Sequence, residues 1–467
     1  MKYIKYILVA FLLFSTTSCL EDMVDTDPSD KLPEEDLVYD EESAEMALMG
    51  VYDALQDEYA SLSYYLMFAE TYADDFDHVG TYQIADAYAN NLYPDNIILS
   101  SYIWPRTYRI IFRANKVISL VSALEEGYIS IEAKERIVAE ASFIRAHVYF
   151  KLVNWFGKVP LQIEPLKTDF SNMSLPRSSV EDVYGQIKKD LEYAAGKNAN
   201  GNDRLPSITA TNNLQYYANR DAVLALSAKV GLYTNESPSD IISTLEKVIR
   251  NTNISLVPSY GSLWVTTPTS EAIFRINSIG TDKNSLGFFF LTTADNGRYE
   301  AAPSQPLITS FDLSDDRLGL IKQEGTNPSL IKYKQAGSGD DKFYILRLAD
   351  VYLMYAEANM LEGTPSSIAL ANEYFELVQS RAGLTPATLT AANWKDLILE
   401  ERRHEFFGEG HRWFDIKRFG KNDEIIEKKL TSVGFNNVKV KYSLWPIPQS
   451  EMNANSKISA SDQNAGY

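Results

Sequence analysis

The chain has 467 residues, of which 45% are hydrophobic, a formal charge of −19 and one cysteine, Cys19. That length and apolar content allow a sizeable core in one large domain or two fused ones, held without any intrachain disulfide. The acidic balance repels nucleic-acid phosphates and no basic stripe offsets it, so nucleic-acid binding is set aside.

At the start, Lys2 and Lys5 precede the apolar run from Ile7 to Phe14, and small residues Ser15 to Ser18 lead into Cys19. This is the layout of a secretory signal, too short to remain as a membrane span. A cysteine at the cut predicts a lipoprotein: the thiol takes a diacylglycerol, and several acyl chains on one residue anchor stably. The alternative is an ordinary cleaved leader that happens to hold a cysteine, since Thr16-Thr17-Ser18 stands where Leu-Ala-Gly types are usual. Residues 1–18 are thus read as signal peptide and 19–40 as a lipidated tether. The tether carries Glu21, Asp22, Asp25, Asp27, Pro28 and Pro33, a composition that cannot order itself by burial.

From residue 41 helical periodicity dominates, and the fold class is mainly α. Ile137, Ala141, Ile144, Val148, Leu152 and Trp155 mark one helix, stopped by Gly157 and Pro160. Val180, Val183, Ile187 and Leu191 mark another; Ala218, Ala222, Leu226 and Val230 a third; Leu348, Val351, Tyr355 and Ala358 a fourth. Its partner holds Ile368, Phe375 and Val378 and ends at Gly383. Helices paired through short polar turns predict a tetratricopeptide-like array, although no repeat signature recurs at fixed spacing. Residues 74–104 and 256–305 break the pattern, being rich in Gly, Asn, Thr, Pro and aromatics. Long irregular segments in a helical body are usually functional.

Asp74-Asp75-Phe76-Asp77-His78 offers three carboxylates and an imidazole in five residues. It reads as a calcium loop, as hooks for hydroxyl groups, or as a solvated acidic turn; EF-hand spacing is absent. The second irregular segment supplies Trp264, Phe288-Phe289-Phe290, Arg298 and Tyr299. Flat rings stack on the C–H faces of sugars while Arg and Asp bond hydroxyls, so Trp264 and Tyr299 are expected to be exposed stacking residues. The Phe run reads instead as a core anchor. His404-Glu405 invites a zinc-protease reading, but the second histidine would fall at Gly408. The block from Glu400 to Arg418 is therefore expected to be architecture. Glu401, Arg402 and Arg403 should be paired, and Phe406, Phe407, Trp413 and Phe414 packed. No nucleophile elbow, phosphate loop or dinucleotide glycine pattern occurs, and no metal or cofactor is expected. Sixty-three acidic residues always permit some carboxylate pair, so the residues alone leave a glycosidase open.

Five blocks in order carry a resemblance. They are residues 139–161, containing Phe143-Ile144-Arg145-Ala146 and Trp155-Phe156-Gly157; 176–194, opening Pro176-Arg177-Ser178; 346–358, containing Asp350-Val351-Tyr352; 400–418; and 445–455, opening Trp445-Pro446-Ile447-Pro448. Together they resemble the RagB/SusD family of nutrient-binding outer-membrane lipoproteins, across nearly the whole chain after Cys19. The resemblance implies a helical body at 41–467, divided into an N-terminal part (41–235) and a C-terminal part (236–467). It implies a lipid anchor at Cys19 and a place on the outer face of the outer membrane, with Glu21-Asp22 similar to surface-export signals. The implied partner is a TonB-dependent SusC-like transporter, and the implied ligand an oligosaccharide, or in some members a peptide. A lipid-anchored glycosidase and a protein-binding scaffold are the competing classes. Because the irregular segment carries ligand contacts in such relatives, Asp74, Asp75, His78, Tyr82, Tyr88 and Tyr93 join Trp264, Arg298 and Tyr299 as candidate ligand residues. The two irregular segments are expected to meet on one face.

Overall fold

The computed structural model describes residues 37–58, 64–167, 169–212, 214–264, 269–435 and 443–467; the leader, Cys19 and Glu21-Asp22 lie outside them. The first half holds α1 (Glu41–Gln56), α2 (Tyr64–Tyr72), α3 (Ala85–Tyr88), α4 (Trp104–Ala123), α5 (Ile131–Phe156), α6 (Val180–Ala195), α7 (Arg220–Tyr233) and α8 (Pro238–Ile249). The second half holds α9 (Leu286–Phe290), α10 (Gln305–Ser310), α11 (Leu348–Glu362), α12 (Pro365–Arg381), α13 (Trp394–Phe406), α14 (Arg412–Arg418), α15 (Asn422–Ser432) and α16 (Gln449–Ala454).

The helix starts follow from capping chemistry. Asp40, Ser130, Ser179, Asn219 and Thr364 each accept the backbone N–H three residues on, satisfying a donor that has no partner inside the helix. Gly157, at φ +68°, and Gly363, at φ +72°, end α5 and α11 where a residue with Cβ would be strained. Helix α4 packs on α5, α5 on α6, α6 on α7, α7 on α8, α8 on α11 and α11 on α12. The helix-pair array is therefore continued in space by α11 and α12, across a long excursion of the chain. Its centre is α5. The expected apolar stripe understates this helix, because every residue from Ile137 to Phe156 is buried. The polar members are paired: Arg145 forks onto Asp190 at 2.9 and 2.6 Å, and Tyr52 of α1 donates to Glu140 at 2.5 Å.

Short antiparallel ladders lie between the helices. Strand β1 (Phe76–His78) pairs with β5 (Ala301–Pro303), β2 (Val159–Pro160) with β3 (Arg177–Ser178), β4 (Ala272–Ile276) with β8 (Phe343–Arg347), and β6 (Ile321–Glu324) with β7 (Asn327–Leu330). Both strands of the β4–β8 ladder are buried throughout, which is why β4 shows no alternation in sequence. Among the described residues no helix is long and apolar enough to cross a membrane.

Candidate functional site

Behind the site lies a buried charge network built on the 400–418 block. Arg317 contacts Asp315 at 2.8 Å, Glu401 at 2.5 Å and Glu405 at 3.0 Å; Arg347 contacts Glu271 and Glu409 at 2.9 Å each. Arg402 bridges Asp350 at 2.8 Å and Asp415 at 2.9 Å. Charges removed from water are tolerated only when opposite charges and hydrogen bonds surround them, and here several share each partner. The expected pairing of Glu401, Arg402 and Arg403 is observed, as is the packing of Phe406, Phe407 and Trp413; Phe414 packs against the core from a half-buried position. His404 hydrogen-bonds Ser310 Oγ at 2.9 Å and stacks on Phe311, which gives its ring a structural place. Trp104 is likewise core, its indole N–H donating to Glu451 at 3.0 Å.

This network absorbs two of the expected ligand residues. Asp75 is completely buried and accepts from Arg403 Nε at 2.6 Å; Asp74 accepts from Arg412 Nε at 2.8 Å and Nη2 at 3.0 Å. Burial would raise the Asp74 carboxyl, but the Arg412 and Arg403 guanidiniums overcome it and hold it at about 2. Both aspartates fasten the loop after α2 to α13 and to the start of α14. Ser304 closes the same corner, donating its N–H to Asp75 O at 2.8 Å and its hydroxyl to Asp74 O at 2.9 Å. Their placement is that of anchors, and not of hooks facing a ligand.

The ladder of β1 and β5 then joins the two irregular segments, with His78 opposite Ala301. Glu300 is the hinge of the junction. Its carbonyl accepts from Val79 and Gly80, and its buried carboxylate accepts from the Tyr82 N–H at 2.7 Å and Arg298 Nε at 2.5 Å. A Cβ on Gly80 would stand 2.1 Å from that carboxylate, so only glycine admits this approach. Tyr82 is thereby set at the rim of a row of rings. Tyr102 lies 4.6 Å from Tyr64, Tyr64 lies 5.2 Å from Tyr82, and Tyr82 lies 5.3 Å from Phe289. Guanidiniums lie over two of the rings: Arg298 over Tyr82 at 4.6 Å, and Arg106 over Tyr102 at 5.5 Å. Tyr102 sits on a π-turn, Leu99–Ile103, a rare local geometry that recurs at functional sites. Phe288 stands beside the row and is 38% exposed, while Phe289 and Phe290 are buried.

The other candidates divide. Tyr299 is half-buried at φ +59° and donates to Pro328 O at 2.8 Å. Tyr88 donates to Asp77 at 3.0 Å with the Lys429 ammonium 4.7 Å over its ring, a supporting layer beneath β1. Burial lowers the His78 pKa from its ordinary value, which keeps its imidazole neutral near pH 7. Tyr93 is exposed but outside the row. Trp264 is corrected to core: its indole is enclosed by Tyr260, Tyr333 and Tyr344, with Lys332 4.6 Å above it. Phe288 takes the exposed place expected of Trp264, because consecutive residues of a helical turn point about 100° apart and cannot all face the core. Tyr64, Tyr102, Arg106 and Glu300 were not legible beforehand. The rings come from three segments, which tertiary contacts such as the β1–β5 ladder and the Glu300 bonds bring together.

Residues 329–467 match the SusD family, and residues 22–232 match a SusD-like family described as starch-binding associating with outer membrane. The chain belongs to the SusD family. SusD-like protein P25 of Formosa agariphila is 26% identical, with full coverage of both chains. A laminarin-binding SusD-like protein shares the fold with a TM-score of 0.76 at 24% identity, over 92% of this chain and all of that one. Surface glycan-binding protein A from Bacteroides thetaiotaomicron, solved in complex with laminarihexaose, does so with a TM-score of 0.75 at 19% identity, over 89% and 98%. These likenesses establish a SusD-type fold for the body, in agreement with the mainly helical class.

Proposed function

We propose that this SusD-family protein captures oligosaccharides at the cell surface and delivers them to a TonB-dependent SusC-like transporter. The observation that carries the reading is the row Tyr102–Tyr64–Tyr82–Phe289, with Arg106 and Arg298 over two of its rings and exposed Phe288 at its flank. The half-buried Tyr82 and Tyr102 and the exposed Phe288, laid on the buried Tyr64 and Phe289, give an apolar platform for the C–H faces of sugars, and guanidiniums donate to hydroxyl oxygens. Relatives whose names record starch, laminarin or laminarihexaose support the ligand class. The role is binding without catalysis and without a metal or cofactor. Of the buried carboxylates beside the row, Glu300 is taken up in positioning Arg298 and Tyr82 and Glu58 faces the buried Lys151 ammonium at 3.6 Å, whereas glycoside hydrolysis needs two carboxyls free to flank the scissile bond.

The anchor belongs to the same reading. Cys19 carries lipid, the tether holds the body on the outer face of the outer membrane, and the family description of outer-membrane association supports that placement. Calorimetric titration of the mature protein with laminarihexaose, maltohexaose, an acidic glycan and mixed oligopeptides tests the ligand. Binding of a neutral hexasaccharide, weakened by Tyr82→Ala, is expected; binding of peptides alone would sink the glycan reading, and release of shorter sugars would make the protein a glycosidase. Fatty-acid labelling abolished by Cys19→Ala and copurification of a transporter after gentle detergent extraction test the anchor and the partner.

A further inference from the structure

A second groove, of about 210 Å³, opens between α1, the turn around Tyr216 and Tyr217, and the end of β4. It shares no residue with the aromatic row. Leu55, Phe274 and Ile276 form a dry floor, Tyr52, Tyr216 and Tyr217 one wall, and Asp53, Gln56, Asn277 and Asp282 the polar rim.

The tyrosines are held by buried groups. Arg275, wholly inaccessible, donates to Tyr216 Oη at 2.6 Å and lies 4.9 Å from that ring. Tyr52 donates to the buried Glu140 at 2.5 Å and accepts from the Ala218 N–H at 2.7 Å. Its ring meets Tyr217 edge-on at 5.4 Å, leaving Tyr217 40% exposed. Exposed rings on a surface turn ordinarily keep their rotamer freedom. Here buried charges fix Tyr216 and Tyr52, and Tyr217 rests on Tyr52, so a ligand meets a platform whose ordering cost is already met by the fold.

We infer that this groove is a second carbohydrate site, taking a neutral sugar unit against Tyr217 and Tyr216. The rim carries carboxylates and amides, and the exposed Arg113 beside it is paired with Asp53 at 2.8 Å. Such a rim accepts from and donates to hydroxyls and repels anions, which selects neutral over acidic sugars. The inference rests on the glycan reading of the family site and adds a second point of attachment. Two sites on one rigid body raise the retention of a polysaccharide able to reach both, without strengthening either contact.

The test uses the mature protein with laminarihexaose and with laminarin, in wild type, Tyr217→Ala, Asn277→Ala and the double variant Tyr82→Ala, Phe288→Ala. The double variant should retain residual hexasaccharide binding, and adding Tyr217→Ala or Asn277→Ala should remove it. Tyr217→Ala alone should weaken laminarin retention about tenfold with an unchanged melting temperature. Complete loss of binding in the double variant, or full retention in both groove variants, overturns the second site and leaves the first intact. Loss in Tyr217→Ala with no loss in the double variant would instead overturn the aromatic row as the site. Absence of glycan binding in the wild type overturns both.

Discussion

The loop that follows α2 serves two regions made from similar residues. At its start Asp74 and Asp75 turn inward onto Arg412 and Arg403, and the Arg403 side chain is 10% exposed. A few residues later Tyr82 turns outward under Arg298, whose side chain is 43% exposed even though it pairs with a buried glutamate. Each region sets guanidiniums beside carboxylates. Inside, the pair is a frame whose partners cannot be parted without leaving a charge in the dry core. At the rim, the guanidinium keeps donors and a face toward solvent, and the same chemistry becomes a contact surface. Burial decides which role is played.

The comparison is sharpest where the frame is cut. Arg403→Ala leaves Asp75 buried without its closest cation, and a loss of about 3–5 kcal/mol of stability is expected in urea denaturation. A loss well under 1 kcal/mol, roughly the worth of a surface pair, would mean that the network is not a frame. Trp264→Ala should cost about 3–5 kcal/mol as a core truncation. Hexasaccharide affinity of the folded variant should stay near wild type, and a variant of wild-type stability that no longer binds would return Trp264 to the ligand surface.

Acid should also cost the frame stability. The Asp74 carboxyl is held at about 2 against an ordinary 3.8, so the folded state binds its proton less readily than the unfolded chain. That stabilisation is present above about pH 4 and disappears as pH falls toward 2, amounting to roughly 2 kcal/mol. Asp74→Asn should flatten this part of the stability profile, and an unchanged slope in thermal melts across that window would refute the assignment. The smallest effect on folding is expected at the rim. Phe288→Ala should lower hexasaccharide affinity by about 1–3 kcal/mol, a ten- to hundred-fold change, with the melting temperature unmoved. A fall in melting temperature with affinity intact would place Phe288 in the core with its two neighbours.

Much of the frame could be read from the chain because helices are local objects. Spacing marked α5, α6 and α12, and Gly157 and Gly383 marked the ends of α5 and α12, since a helix is specified within a few turns of itself. The segments that interrupt the array were also visible, as was their expected meeting, which the β1–β5 ladder provides. The identity of the exposed rings was not. Asp75 finds Arg403 at a separation of 328 residues, and Tyr82 finds Glu300 at 218. In an irregular segment no period says which side chain turns inward. Trp264 is core because Tyr260, Tyr333 and Tyr344 enclose it, and Phe288 is exposed because Phe289 and Phe290 have filled the inward directions of a short turn. The sequence by itself determined a helical body with two interruptions and a charged, aromatic block at its C-terminal end. Tertiary contact alone decided which of those charges and rings face solvent, because burial belongs to the neighbours that a residue meets and not to the residue.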